Sequence, residues 1–323
     1  MANEFWAVMP TKEYEAQLRQ LPESTKTLLP FITREDDKVG EEAYFNQIGS
    51  MTARKGKVRF GKHEKDQATF KRRRITPDFA YLATEIDSKD QVETLVNPRS
   101  ALAMNVKHAL ARQIGQDVIT AMFGTAFTGK AGGTSETFNA SDIVGVQVGG
   151  AASNVGLNAD KIVAGIQKIQ DLGFDLSDPR NELTMLQAPQ QASDAKLDTT
   201  LQTFDNMTGK ILSGIDIPDG FMGIRNILTD PMCPYANDAA TGVNSSWNDA
   251  GLANDDAAGN DVRMVILFIK SGVSYAMWKN PIVRVDELQE QHYDWQLYSA
   301  VHYGITRMHA AGAIVGILCD ESP

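Results

Sequence analysis

Cysteine is scarce in this chain. Cys233 and Cys319 are the only two among 323 residues, so at most one disulfide is available. Such sparse use suits a reducing compartment, and both are read as free thiols. Long apolar runs are also missing. Nothing approaches the ~20 residues of a membrane-spanning helix, and the start, MANEFWAVMPTKEYEAQL, lacks a signal-peptide core. The histidines (His63, His108, His292, His302, His309) form no HxxxH or HExxH pair. No GxSxG elbow occurs, and neither an internal repeat nor a heptad array is visible. The expectation is a protein without catalytic residues, metal or cofactor, and without a membrane partner.

A net basic charge is lacking as well. The chain carries −10 at pH 7 with a pI near 5.0, which argues against gripping nucleic acid over its whole surface. The charge is unevenly spread. Between Arg54 and Arg74 ten basic residues face only Glu64 and Asp66, about +8, which leaves about −18 elsewhere. A basic segment on an acidic body suggests a subunit that meets copies of itself. Four consecutive cations in a strand, Lys71 to Arg74, point alternately to opposite faces, so no single face receives them all. Contact with an acidic neighbouring subunit therefore accounts for Lys55, Lys57, Arg59, Lys71, Arg72, Arg73 and Arg74 better than a phosphate footprint does.

What is present fits an α+β fold. Apolar and charged residues alternate from Gly56 to Phe60 and from Ala68 to Ile75, around the polar turn GKHEKD, which predicts a long hairpin ribbon. So charged a hairpin cannot supply its own core and must lie on something else. The clearest helix follows. Asn97 suits its cap, Pro98 its first position and Gly124 its stop. Leu102, Val106, Leu110, Ile114, Val118 and Met122 recur every four residues, so the apolar stripe drifts about 40° per step. That drift suits a helix that crosses a sheet and meets a second partner near its end. Gly115 inside it, at a cost of about 1 kcal/mol, hints at a close backbone contact.

Further helices are expected at Ala159 to Leu172 and after Pro189. Strands are expected at Glu182 to Gln187, around Ile211 to Ile215, at Phe221 to Leu228, Arg263 to Ile269, Val273 to Trp278, Ile282 to Asp286 and Gly312 to Leu318. An amphipathic stretch runs near Tyr293 to Met308. Residues 236–261 are nearly all Asn, Asp, Ala, Gly and Ser and read as a surface loop.

One motif invites an enzymatic reading. Gly124-Thr-Ala-Phe-Thr-Gly129-Lys130-Ala131 nearly fits the phosphate loop GxxxxGK[ST]. Ala131 stands where a hydroxyl belongs, and the motif follows a helix where a strand is needed. A helix stop and loop is the better reading. The acidic residues around Asp249 to Asp261 lack the alternation and terminal glutamate of a helix-loop-helix calcium site.

The order of these segments resembles the major capsid proteins of tailed bacteriophages with the Hong Kong 97-type fold. RKGKVRFGKHEKDQATFKRRR looks like their extended loop, or E-loop, laid over a neighbour. ATEIDSKDQVETLVNPRSALAMNVKHALARQIGQDVITAMFG is similar to their lead-in and spine helix. FIKSGVSYAMWKNPIVRVDELQEQHYDWQLYSAVHYGITRMHAAGAIVGIL, with its Tyr303-Gly304 pair, resembles their return to the peripheral sheet.

The resemblance implies an N-terminal arm at 1–45, an E-loop hairpin at 46–80 and a peripheral domain at 81–155 with spine helix 98–123. An axial domain at 156–290 and a peripheral return at 291–323 would follow. It implies a self-assembling icosahedral head shell of hexamers and pentamers in the virion, assembled in the bacterial cytoplasm. Packaged double-stranded DNA without sequence specificity and a portal protein at one vertex are the implied partners, with room for a decoration protein. The chain starts almost at its arm, so a separate scaffolding protein is also expected. An encapsulin-like nanocompartment shell is the alternative with the same fold, and a nucleotide hydrolase would need the near-miss loop.

Overall fold

The computed structural model describes residues 27–49, 51–53, 55, 65, 67–86, 99–149, 154–198, 219–230, 233–235, 262–288 and 294–321. Strands β1 (Thr33–Glu35), β2 (Ala43–Ile48), β3 (Phe70–Ile75) and β4 (Asp78–Ile86) precede the long helix α1 (Arg99–Phe123). Strands β5 (Ala126–Thr128), β6 (Thr134–Glu136) and β7 (Ile143–Val144) lead to helix α2 (Ala159–Asp171) and strand β8 (Leu183–Gln187). Helix α3 (Pro189–Leu197) and strand β9 (Asn226–Thr229) follow. The chain closes on β10 (Val262–Ile269), β11 (Val273–Leu288), β12 (Asp294–Arg307) and β13 (Ile314–Asp320).

The described strands form a ribbon in the order β1-β11-β12-β4, a five-stranded sheet β7-β13-β10-β8-β9, and a small sheet β2-β3-β5-β6. Helix α1 joins the first two. Near its start Val106 and Leu110 pack with Leu297 and with half-buried Ala80 and Leu82 on the ribbon. Near its end Ile114, Val118, Met122 and Phe123 enter a core that holds Tyr275 and Tyr303 together with Met264, Ile266 and Phe268. The drifting stripe is the physical reason: it turns the apolar face from one sheet to the next. The expected second partner is the five-stranded sheet. The predicted cap, Asn97 and Pro98, lies outside the described residues.

The five-stranded sheet is covered on both faces. Met264, Ile266 and Phe268 of β10 look towards α1, while Val265, Leu267 and Ile269 look towards α2. That explains the unbroken apolar run in β10 where a one-sided strand would alternate. Helix α2 begins where the Asn158 side chain accepts from the Lys161 amide at 2.9 Å, and it ends before Gly173, whose φ is +82°. The described helices include none long and apolar enough to cross a membrane.

Three elements differ from their sequence expectations. The partner of β3 is β2 (Ala43–Ile48), so the boundary expected at 45 cuts through a hairpin strand; the predicted strand 56–60 lies outside the described residues. The two strands expected at 273–278 and 282–286 are one strand of 16 residues. Its register shifts between Met277 and Ile282 let it pass Pro281, which has no amide hydrogen for the ladder. The last strand, expected to return to the peripheral sheet, pairs instead with β10, from Val262–Asp320 to Phe268–Ile314. Residues 308–313 redirect it, with Gly312 at φ +72° against Leu172. The strand expected at 211–215 and the loop expected at 236–261 lie outside the described residues.

Candidate functional site

The basic run of β3 divides as strand alternation requires. Its inward side chain is Arg73, 2% exposed, in ion-pair contact with the carboxylate of Glu136. Its Nε donates to the carbonyl of Met308 at 2.9 Å. Arg73 is thus an internal strut, held between β6 and the turn after β12. The sequence expectation that it touches a neighbour needs correcting, because burial removes it from the surface.

The outward side chains are different. Arg72 lies over the Tyr44 ring at 5.4 Å, donates from Nε to Asn46 Oδ1 at 2.8 Å and from Nη1 to the Lys130 carbonyl at 3.3 Å. Arg74 stacks on Phe127 at 4.8 Å and pairs with Glu42 at 3.1 Å. Lys71 and Lys55 are exposed, whereas Lys57 and Arg59 lie outside the described residues. Beyond the arginines, Ile48 and Phe70 face each other across the hairpin and are 70% and 73% exposed. The result is a surface of cations on rings that ends in two exposed apolar side chains.

What anchors this surface is a joint that the sequence reading missed. Arg307 at the end of β12 is 2% exposed. Its Nη1 donates to the carbonyls of Met122 and Gly124 at 2.9 and 3.1 Å, and its Nη2 donates to that of Glu136 at 3.1 Å. Its Nε reaches the His309 carbonyl at 3.2 Å and its guanidinium lies over Phe138 at 5.3 Å. A cation at the carbonyl end of α1 meets the negative pole of the helix dipole. Two more bonds converge on the same turn. Gln47 Nε2 donates to Met308 O at 3.1 Å, and the Gly312 amide donates to Asp142 Oδ2 at 2.8 Å. Gly304, of the Tyr-Gly pair, allows β12 to pass under β3, since a Cβ there would meet Ile75 and the Thr76 carbonyl at 2.5 Å. The only signal for the joint in the sequence was an arginine closing an amphipathic stretch.

The joint holds two titratable groups whose proton affinity burial shifts in opposite directions. Burial pushes the His309 imidazole below its usual range, helped by the nearby charges of Arg73 and Lys71. Burial pushes the Asp142 carboxyl up, against the Gly312 amide and the charges of Lys168 and Arg307. A histidine kept neutral by the fold loses stability as pH falls below about 6.5, where the unfolded chain takes up its proton first. Asp142 acts with the opposite sign. Its raised value means the folded state protonates first, which adds stability as pH falls towards about 3.8. Urea midpoints of the unassembled subunit should therefore decline from about pH 6.5 downward. His309→Gln should flatten that decline, and an unchanged slope in the variant would assign it elsewhere.

Other buried ionisable groups are structural. Lys161 donates from Nζ to the carbonyls of Val155 and Leu318, the latter at 2.8 Å, and burial lowers its pKa. Cys233 and Cys319 are buried free thiols; burial pushes Cys319 up to about 12 and Cys233 further in the same direction. Gly129 and Gly132, with φ of +98° and +64°, make the turn between paired β5 and β6. The near-miss phosphate loop is thus a helix end followed by a hairpin, and no helix opens after Lys130 to cradle a phosphate.

A family model described as phage capsid protein matches residues 8–321. Among solved structures, the capsid of cyanophage Pam1 superposes with a TM-score of 0.67 at 12% identity, over 98% of this chain and 97% of that one. The capsid of cyanophage P-SCSP1u gives 0.66 at 12%, over 97% and 93%. The head of Helicobacter pylori bacteriophage KHP40 gives 0.66 at 10%, over 96% of each. At such identities the likeness is one of fold. A comparison with curated proteins finds no match.

Proposed function

This chain belongs to the phage capsid protein family, and from that membership we infer how its geometry serves a head shell. It is a major capsid protein, a structural subunit of the virion. The match over residues 8–321 carries the assignment and favours it over an encapsulin-like compartment. The family points away from a nucleotide hydrolase, as does the hairpin that replaces the phosphate loop.

Our reading of the mechanism is geometric. The small sheet is bolted to the body through Arg73, Arg307 and Glu136, so the paired strands Ala43–Ile48 and Phe70–Ile75 are held against it. We propose that Lys55, Lys57, Arg59, Lys71 and Arg72 reach an acidic surface of a neighbouring copy, and that many such modest contacts together close the shell. Arg74, half-buried on Phe127, shapes that surface while staying paired with Glu42. Hexamers and pentamers, a separate scaffolding protein, a portal vertex, a decoration protein and assembly in the host cytoplasm complete the proposal. The acidic remainder of the chain supports the expectation that packaged double-stranded DNA slides on the inner wall without being gripped.

The test is the double variant Lys71→Glu with Arg72→Glu, which leaves buried Arg73 intact. Lys71 is exposed, and half-buried Arg72 gives up its bond to Asn46 and its place over Tyr44, so the stability of the subunit should fall by about 1–2 kcal/mol and leave it folded. Closed shells, counted by electron microscopy, should fall by at least about tenfold. Shells in normal number from that variant would remove the role given to the hairpin.

A further inference from the structure

We infer that the outer edge of the ribbon, residues 282–288 of β11, pairs antiparallel with the same segment of a second copy across a two-fold axis. No part of the hairpin contact proposed above is needed for it. One edge of β11 is paired with β12 along its length, from Val273–Arg307 to Leu288–Asp294. The other is paired with β1 at Ser274 to Ala276, and the Lys38 amide adds a bond to the Met277 carbonyl at 3.0 Å. Beyond Pro281 the backbone groups of that edge meet no other strand among the described residues. From Val283 to Glu287 every side chain is exposed, Val283 at 58% and Val285 at 43%. Open edges are commonly guarded by proline or lysine. Here Lys279 and Pro281 guard only the approach, and residues 282–288 contain neither type.

The side chains of this edge complement a copy of themselves. Leu297, opposite Val285, faces α1, so alternation puts Ile282, Arg284, Asp286 and Leu288 together on the other face. In an antiparallel pair made by a two-fold axis, the residue at the axis meets itself and its neighbours meet in reverse order. Centred on Val285, the pair sets Arg284 against Asp286 and Ile282 against Leu288, each twice. On the α1 face Val285 meets Val285, flanked by Val283 and Glu287. Opposite charges directly across a ladder stabilise it, and like charges oppose it. One step either way fails. Centring on Arg284 opposes two guanidinium groups, and centring on Asp286 opposes two carboxylates. Within the subunit Arg284 and Asp286 make no ion pair among the described residues, so both charges are available. So short a ladder is a modest interface, and in a shell it acts through repetition.

The test uses the full chain. Val285→Cys adds an exposed thiol to a subunit whose own two are buried. Directly opposed residues of an antiparallel ladder lie about 4.5–5.5 Å apart at Cα, within reach of a disulfide. Closed shells of this variant, oxidised with diamide and run on a non-reducing gel, should give mostly dimer. Val283→Cys, whose counterpart would sit about 14 Å away along the strand, should give at least about tenfold less. Closed Val285→Cys shells without dimer, or equal dimer from both variants, would overturn the inference. A charge swap needs no cysteine and decides if those variants do not assemble. Arg284→Asp should keep the urea midpoint of the free subunit and lower the count of closed shells about tenfold, because a carboxylate then faces Asp286 of the second copy. Adding Asp286→Arg recreates the opposite pairs and should restore the shells. Normal shells from Arg284→Asp, or no rescue by the double variant, would overturn the inference too. Neither series touches Lys71 or Arg72, so its result stands apart from that of the hairpin variant.

Discussion

Arg73→Glu should cost the unassembled subunit about 3–5 kcal/mol, the usual penalty for breaking a buried ion pair from one side. Two effects add. The bond from Nε to Met308 O at 2.9 Å is lost, and a second carboxylate is forced against Glu136 where a guanidinium had neutralised it. Against an ordinary stability of about 5–15 kcal/mol this is a large fraction. The loss should begin at the hairpin base. Amide exchange should quicken first at the paired residues of β2 and β3, before the apolar core of β10 is affected. Arg73→Lys keeps the charge but not the planar fork, and an intermediate loss is expected. A urea midpoint for Arg73→Glu within about 0.5 kcal/mol of the parent would show that the strut carries no weight. The contrast with Lys71→Glu and Arg72→Glu is the informative part: neighbouring cations in one strand, one buried, one half-buried and one exposed.

The second large effect concerns the other end of the joint. Arg307→Met keeps length and apolar contact but withdraws the donor from the carbonyls of Met122, Gly124, Glu136 and His309. A buried acceptor left without its donor costs about 1–3 kcal/mol. These acceptors share one neighbourhood and do not add independently, so a total near 4 kcal/mol is expected. Exchange of amides in the last turn of α1 should rise, since the negative end of the helix dipole loses its cation. Arg307→Lys, with a single ammonium, should recover only part of the loss. Full recovery by lysine would mean that charge, and not the directed fork, matters at this position. Arg73 and Arg307 both meet Glu136, one at its carboxylate and one at its carbonyl. A double-mutant cycle should therefore give a coupling well above the scatter of independent sites.

Much of this architecture could be read along the chain. The four-residue spacing from Leu102 to Met122 marked both the helix and its change of partner, because a drifting stripe is a local, periodic property. Helix α2 and the strands β8 and β10 were legible for the same reason. The charge split between residues 54–74 and the remainder was a matter of counting. The partner of β3 was not legible. Ala43–Ile48 is a short alternation after a polar stretch, and the pairing is decided across a loop whose sequence says little about its closure. The long ribbon strand was split at Pro281 because proline reads as an end, although a bulge lets the ladder continue.

By itself, then, the sequence determined the spine helix, the class of fold and a basic arm on an acidic body, all carried by residues close together in the chain. Only the tertiary structure decided which of the cations Lys71 to Arg74 is buried, and where the last strand goes. Both depend on groups far away in sequence. Glu136 and Met308 neutralise and bind Arg73 across 63 and 235 residues, and β10 captures residues 314–320 after Gly312 turns the chain aside. Burial converts one arginine of the run from a surface charge into a strut, and burial is a property of the packed whole.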